Sequence, residues 1–300
     1  MENRREFLAK TALASSALLF PSTLLSNKLD LNPLQSSAKD LEVFIFSKHL
    51  QFLDYKDMCE ASKEMGFNGV DLTVRPKGHV LPENVKDDLP KATEFMKLFD
   101  LTTKMISTNV ISVKEHLNVL GSAKELGYQY YRTAWVRYKK SNILKTLEDA
   151  KVKLSELAIA NSKIGITGAY HNHSGNFLGA AIWDLHQILK DLSPNNLGCQ
   201  YDIMHATVEG GKNWEYNFEL IKPYINSLVI KDFKWGKVNN QWKPIFTPLG
   251  EGMVDFQKYF TLLKKNNINV PISLHVEYDL GGAEHGHQPT IKASEVLIVG

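Results

Sequence analysis

Short apolar runs alternate with amphipathic helical segments along most of the chain. The apolar runs predict β-strands over Leu41–Ser47, Gly69–Val74, Thr102–Thr108, Tyr128–Trp135, Gly165–His173, Leu197–His205, Ser227–Trp235 and Pro271–Tyr278. Helical periodicity fills most of the gaps, over Asp54–Met65, Glu83–Phe99, Val113–Leu126, Ser141–Lys163, Ala181–Leu192, Trp214–Pro223 and Phe256–Lys265. This alternation predicts an α/β fold, a (β/α)8 TIM barrel in a single domain. A doubly wound sheet is the alternative, although no Gly-x-Gly-x-x-Gly follows the first strand.

Both ends of the chain differ from the repeating part. Only residues 279–300 follow the last predicted strand, so the eighth helix is expected to be short or incomplete. At the other end, Arg4-Arg5 precedes a weakly apolar stretch, Thr11–Leu25, and a polar segment to residue 39. The pair resembles a twin-arginine export signal; the alternative is a chance Arg-Arg before an amphipathic helix.

The predicted organisation is therefore an export signal and linker over 1–39 and a catalytic barrel domain over 40–300. The expected location is periplasmic or secreted. The apolar stretch is shorter than the ~20 residues of a membrane span, which gives no stable membrane anchor.

The bulk composition is that of an ordinary globular protein. The chain of 300 residues is 43% hydrophobic and 23% charged, with a formal net charge of +2. This charge gives no reason to expect nucleic acid as a partner. Two cysteines are too few for a disulfide framework.

Three clusters of metal-ligand residue types each close an apolar run. They are Tyr170-His171-Asn172-His173, Asp202-Ile203-Met204-His205 and His275-Val276-Glu277. Catalytic residues of a (β/α)8 barrel lie at the carboxyl-terminal ends of its strands, so the three clusters should share one face. Imidazole and carboxylate together suit Mn, Zn, Co or Fe(II).

Each candidate also has a simpler interpretation. His171 and His173 face the same way on a strand, but one of them could simply bond to backbone. Asp202 either faces inward or caps the following helix. Lys231 either points into the barrel, where it could stabilise an enolate, or extends to solvent. Glu277 either binds metal and moves a proton or is a structural carboxylate paired with Lys231.

Further polar and aromatic residues follow the predicted strands. Candidate substrate-binding residues are His205, Arg132, Trp135, Asn109 and His275. Weaker candidates are Asp71, Arg75, His79, Phe233, Trp235, Trp242, Glu284, His285 and His287.

Together these motifs resemble the xylose-isomerase-like TIM-barrel superfamily of sugar isomerases and epimerases, which includes dehydratases and endonuclease-IV-like enzymes. The resemblance extends from about residue 41 to residue 287. It rests on Gly69-Val70-Asp71-Leu72-Thr73, Tyr170-His171-Asn172-His173, Asp202-x-x-His205, Ile230-Lys231-Asp232, Pro248-Leu249-Gly250-Glu251-Gly252 and Val276-Glu277.

The resemblance implies one divalent metal (Mn, Co, Mg or Zn) held by a Glu, an Asp, a His and a Glu from strands five to eight. Asp202 and Glu277 match this pattern directly, and His205 matches the substrate-contacting His. His171 stands where Glu is usual and Val229 where the strand-seven His is usual. The implied metal ligands are then His171, Asp202 and Glu277; alternatively metal binding is lost and Lys231 supplies positive charge.

The expected function is a metal-dependent isomerase or epimerase of a small sugar or polyol, with dehydration as a variant. It would abstract a proton next to a carbonyl, with Glu277 as base, His171 or His173 as acid partner, and Lys231 stabilising charge. The alternatives are a non-catalytic sugar-binding barrel that has lost its metal site and an endonuclease-IV-like phosphodiesterase. A small carbohydrate is the expected partner, and a homo-oligomer is compatible with the sequence.

Overall fold

The computed structural model describes residues 41–289, except the side chains of 114–117. The predicted export segment, 1–39, lies outside the described residues. Eight parallel strands close into a barrel with helices between them, which confirms the predicted fold. The strands of the described part are β1 (Val43–Phe46), β2 (Gly69–Val74), β3 (Met105–Thr108), β4 (Tyr130–Arg132), β5 (Thr167–His171), β6 (Leu197–Asp202), β7 (Ile225–Ile230), β8 (Asp232–Val238), β9 (Gln241–Thr247) and β10 (Ile272–Leu274).

Strands β1 to β7 and β10 form the barrel, in which β10 lies between β7 and β1. The helices of the described part are α1 (Tyr55–Glu64), α2 (Val85–Leu98), α3 (Val113–Glu125), α4 (Ile143–Ile164), α5 (Ile182–Leu189), α6 (Ile203–Gly210), α7 (Trp214–Ile221) and α8 (Phe256–Lys265). After β10 the described residues contain one 3₁₀ turn, Ala283–His285. The predicted short or incomplete eighth helix extends into residues 290–300, which lie outside the described residues. None of the helices within 41–289 has the combination of length and apolarity that a membrane crossing needs.

Local sequence signals explain where several helices begin and end. Asp54 caps α1 by accepting a hydrogen bond from the Asp57 backbone N–H at 2.8 Å, a contact that typically contributes about 1 kcal/mol. Helix α4 ends at Gly165, whose φ of +77° lies in the left-handed region that glycine adopts without steric cost. These signals determine where α1 begins and where α4 ends.

The predicted end of strand six is wrong. The strand stops at Asp202, and α6 starts at the next residue. The cause is a cap: one carboxylate oxygen of Asp202 accepts the backbone N–H of His205 at 2.9 Å. His205 therefore lies in the first turn of a helix rather than on a strand.

The predicted end of strand seven is also wrong. Barrel strand β7 stops at Ile230, and β8 and β9 form a separate antiparallel hairpin after it. The hairpin turns at Asn239 and Asn240, which both have positive φ, as a tight two-residue turn requires. In the sequence, the end of β7 and the start of β8 form one continuous pattern. That pattern does not show that the chain changes direction between the two strands.

The base of this hairpin holds the loop before α8. The Asp232 carboxylate accepts backbone N–H groups of Gly250, Gly252 and Val254 at 3.0, 2.9 and 3.1 Å. A side chain at Gly252 would overlap that carboxylate. Asp232 thus has a structural role that anchors the 248–254 turn beside the end of β7.

Candidate active site

The carboxyl-terminal ends of β5, β6, β7 and β10 bring four polar side chains together. His171 and Asp202 are the last residues of their strands, and Lys231 directly follows β7. Glu277 lies three residues beyond β10. The parallel register pairs Asp202 with Val229, so the ends of neighbouring strands lie at one mouth of the barrel.

Asp202 is the centre of this cluster and is fully buried. One of its oxygens caps α6, and the other, Oδ2, lies 3.0 Å from His171 Nε2 and 3.2 Å from Lys231 Nζ. Burial alone would favour the neutral acid, but His205, Lys231 and His171 outweigh it and hold the pKa of Asp202 well below its usual range. Asp202 is therefore an ionised carboxylate that both caps a helix and faces the site.

Lys231 points into the barrel, as the strand pattern predicts if Val229 faces inward, and only 3% of its side chain is exposed. Its ammonium donates to Glu277 Oε2 at 3.1 Å and lies 3.2 Å from Asp202 Oδ2. Burial lowers the pKa of Lys231, but the two carboxylates more than reverse this and raise it above the usual value. Lys231 is thus a permanent cation between two anions.

Glu277 is the most accessible of these four side chains. Its side chain is 21% exposed, and Lys48 Nζ lies 3.8 Å from its second oxygen. Burial would raise the pKa of Glu277, but Lys231 and Lys48 together lower it well below the usual range. The carboxylate is ionised and has one edge open toward the mouth.

The histidine tautomers follow from their partners. An ammonium only donates hydrogen bonds, so His205 Nε2, 2.8 Å from Lys231 Nζ, must accept one. Its proton is then on Nδ1, which donates to Ser174 Oγ at 2.9 Å. Because ionised Asp202 only accepts, His171 Nε2 carries a proton, and its Nδ1 has a free lone pair. Burial lowers the pKa of His171 to about 4, so the ring is neutral at pH 7.

Aromatic rings line the side of the mouth formed by β4, β5 and β1. The Trp135 ring centroid lies 5.7 Å from that of His171 and 5.3 Å from that of His173. The Arg132 guanidinium lies 4.8 Å from the Trp135 ring and 5.3 Å from the Phe46 ring. Burial, reinforced by neighbouring Arg75, lowers the pKa of Arg132 to about 9, and the group stays charged at neutral pH.

Several buried polar atoms at this mouth have no hydrogen-bond partner within the described part of the chain. They include Arg132 Nε, Trp135 Nε1, His171 Nδ1, Asn109 Oδ1, His49 Nδ1 and both ring nitrogens of His275. Buried polar groups are normally satisfied, so an unmatched set points to a ligand or to ordered water. The set mixes donors and acceptors, which is what a polyhydroxylated molecule matches.

The structure also places the other predicted residues. His275 stacks on Phe46 at a centroid distance of 4.2 Å, with its Nδ1 4.0 Å from Glu277 Oε1. His79, in contrast, contacts Ser47 and the Leu50 carbonyl and is a structural residue.

The remaining weak candidates divide by burial and partner. Asp71 is buried and accepts hydrogen bonds from two serines, and Glu284 accepts backbone N–H groups of its own loop. Side chains exposed to solvent are Trp235, Trp242, His285 and His287.

Three residues of the cluster were not predicted. Lys48 and His49 follow β1, and Ser174 follows β5. All three lie just past the end of a strand, the position from which residues of a barrel face the mouth, and this position is the sequence signal that points to them.

The arrangement includes a candidate metal site that differs from the predicted one. His171, Asp202 and His205 offer ligand atoms within 4.8 Å of one another, whereas Glu277 does not belong to this group. The ammonium of Lys231 hydrogen-bonds to two of these three residues, His205 and Asp202. With Lys231 in this place, the residues present do not fit the divalent metal that the resemblance implies.

Comparison with known proteins identifies the family. The model of the xylose isomerase-like TIM barrel family matches residues 59–297. A search of curated proteins finds no match.

Solved structures with the same architecture include three that share 12–19% of their residues with this chain. A D-tagatose 3-epimerase-like protein is 19% identical with a TM-score of 0.61, covering 78% of this chain and 90% of its own. The 3-keto-D-glucoside 4-epimerase of E. coli is 12% identical with a TM-score of 0.61, covering 80% and 93%. A xylose isomerase-like barrel protein of Mycobacterium smegmatis in complex with magnesium is 12% identical with a TM-score of 0.62, covering 82% and 93%.

At these identities the structural likeness establishes the fold alone. The family match, in contrast, extends over most of the chain. This chain belongs to the xylose isomerase-like TIM barrel family.

Proposed function

We propose that the protein is an isomerase or epimerase that moves a proton at a carbon next to the carbonyl of a small sugar. The observation that carries this proposal is an accessible, ionised carboxylate, Glu277, hydrogen-bonded to the buried ammonium of Lys231 at 3.1 Å. A base and a fixed positive charge side by side are what carbon-acid chemistry requires.

In the proposed step, a Glu277 oxygen takes the proton from the carbon next to the carbonyl. The C–H electron pair forms the new carbon–carbon double bond, and the carbonyl electrons move to its oxygen, which becomes an enolate. The Lys231 ammonium and the Arg132 guanidinium are placed to stabilise that oxygen. Protonation of the same carbon on its opposite face by an acid partner, for which His171 and His173 are the candidates, gives the epimer and leaves the abstracted proton on Glu277. Transfer of the proton from Glu277 to the neighbouring carbon gives the isomer.

A low pKa makes Glu277 a weak base in the free protein, and substrate would change this. When the developing oxyanion accepts a hydrogen bond from Lys231, the ammonium is shared between the oxyanion and Glu277. The carboxylate then loses part of the charge that holds its pKa down. His171, with a free Nδ1 lone pair, and His173 are the proposed partners for moving protons between substrate oxygens.

The unpartnered polar atoms and the Trp135 ring support a carbohydrate as ligand. Donors and acceptors around an aromatic face suit the alternating hydroxyl groups and C–H faces of a sugar. Two of the structural relatives described above are named for sugar epimerase activity, on a ketose and on a keto-glucoside. We accordingly propose a keto-sugar or keto-glycoside as the substrate class.

The experiment is a product screen. The protein is incubated with a panel of ketoses and keto-glycosides, and products are identified by NMR. Glu277→Gln should reduce turnover of the reactive substrate by about 10²–10⁴-fold. The matched control is Glu156→Gln, an exposed residue of α4, which should leave turnover unchanged.

Two outcomes would reject the proposal. Tight binding of a sugar with no turnover would favour a non-catalytic binding barrel, and full activity of Glu277→Gln would remove the proposed base.

A further inference from the structure

We propose that the Lys231 ammonium takes the place of a divalent metal ion in this chain, so that the site works with a built-in cation. Three contacts carry the proposal: Lys231 Nζ lies 2.8 Å from His205 Nε2, 3.2 Å from Asp202 Oδ2 and 3.1 Å from Glu277 Oε2. These partners are an imidazole and two carboxylates, which are ligand types that divalent metals bind, and two of them, His205 and Asp202, belong to the candidate metal group.

The electron pairs that a metal needs are already in use. The Nε2 lone pair of His205 accepts from Lys231, and its Nδ1 carries the proton donated to Ser174. His171 Nε2 donates to Asp202, so it has no lone pair on the side of the cluster. Both ring nitrogens of His205 and the Nε2 atom of His171 are thus engaged in hydrogen bonds within the protein.

The geometry leaves no room for both cations. His205 Nε2 and Asp202 Oδ2 are 3.7 Å apart. A metal about 2.1 Å from both atoms would lie within about 3.5 Å of Lys231 Nζ, given the distances of 2.8 and 3.2 Å. Two cations at that separation, with almost no exposure to water, repel strongly. Metal binding would therefore require Lys231 to leave or lose its proton.

The network around Lys231 keeps it in place. Its side chain is 3% exposed, and the ammonium lies 5.7 Å from the centroid of the Phe246 ring. Val229, two residues earlier on the same face of β7, is apolar and fully buried. Strand seven thus supplies a positive charge at its end and no metal ligand at Val229.

The inference concerns the cation in the site. The further statement that this ammonium stabilises an enolate rests on the proposed function. A metal-binding measurement tests which cation occupies the site and leaves the enolate chemistry aside, because it needs no substrate.

The test is a titration of EDTA-treated, dialysed protein with Mn²⁺, Co²⁺ or Zn²⁺ alone. Binding is measured by calorimetry and, for Co²⁺, also by its absorption spectrum. Wild-type protein should show no binding that depends on Asp202. Lys231→Ala, which opens the space and frees the His205 lone pair, should bind one divalent ion at least about 100-fold more tightly than wild type.

Two variants act as controls. Lys48→Ala removes the other lysine that contacts Glu277 but leaves Lys231 in place, and should not gain a metal site. Lys231→Ala combined with Asp202→Asn should lose the site that the single variant gains.

The proposal is overturned if wild-type protein binds one divalent ion per chain in a manner that Asp202→Asn abolishes. It is equally overturned if folded Lys231→Ala binds metal no better than wild type. Should Lys231→Ala fail to fold, the wild-type titration and the Asp202→Asn control decide the question by themselves. A protein that passes these tests but converts no sugar would reject the proposed function and leave this inference standing.

Discussion

Replacing Lys231 by Met should destabilise the folded protein strongly. The change keeps most of the side-chain volume but removes the cation beside fully buried Asp202. At 3.2 Å and an effective dielectric constant of about 20, the pair attraction is about 5 kcal/mol. Removal of one partner of a buried pair typically costs 3–5 kcal/mol, because the other charge stays desolvated. We take about 3–5 kcal/mol as the expected loss, since the more accessible Glu277 keeps Lys48 as a partner.

The assay is urea denaturation followed by circular dichroism, together with the thermal midpoint. For a domain of this size the expected loss corresponds to a decrease of about 6–20 °C in Tm. Adding Asp202→Asn should recover much of the stability, because it removes the uncompensated charge and Asn also caps helices well. Lys237→Met, in the exposed hairpin, is the matched control and should change stability by less than about 0.5 kcal/mol.

A Lys231→Met loss below about 1 kcal/mol would refute the reasoning, since it would mean that the ammonium is not a desolvated ion-pair partner. A double variant less stable than Lys231→Met would do the same, because Asp202 would then not be the source of the cost.

Two further predictions concern acid stability and export. Burial lowers the pKa of His49 to about 3 and that of His79 to about 4. Between pH 6.5 and 4 the unfolded chain therefore binds more protons than the folded protein. The free energy of unfolding should fall as the pH drops, by about 2 kcal/mol per group at pH 5. Equal urea midpoints at pH 7 and pH 5 would contradict this, and the double Gln variant of both histidines should reduce the slope. We also propose that the first 39 residues export the protein. A reporter fused to them should leave the cytoplasm, and Lys in place of both Arg4 and Arg5 should block this export. A reporter that stays in the cytoplasm with the native segment would reject the proposal.

The barrel was predictable because each strand is a short apolar run between helical segments. The predicted runs Gly165–His173 and Ser227–Trp235, which contain β5 and β7, illustrate the principle. A parallel strand covered on both faces shows little alternation, so its hydrophobicity alone marks it. The hydrophobic pattern does not show at which residue a barrel strand ends. Asp202 ends its strand through a cap bond to His205, and that bond depends on a turn that no periodicity reports.

The hairpin β8–β9 was missed although the sequence contains a signal for it. Asn239-Asn240 between two alternating segments is a tight-turn pattern, but β8 begins only two residues after the end of β7. A barrel strand and a hairpin strand then look like one long strand.

The members of the site were largely predictable from the positions of polar residues at strand ends, but their connections were not. The sequence suggested Glu277 as a metal ligand and left Lys231 undecided between barrel and solvent. Which of them contacts Asp202 depends on side-chain distances across three strands, and these follow from the closed barrel rather than from any local spacing. The outcome, a lysine between two carboxylates, is a property of the assembled mouth.

The most direct test of the proposed chemistry is solvent exchange at the reacting carbon. A substrate from the product screen is incubated with the protein in D2O, and deuterium incorporation is followed by NMR. Abstraction and return of a proton by a carboxylate that exchanges with solvent predicts deuterium at one carbon next to the carbonyl, at a rate that falls with turnover in Glu277→Gln. An isomer formed with no deuterium at that carbon, or an unchanged exchange rate in Glu277→Gln, would contradict the account.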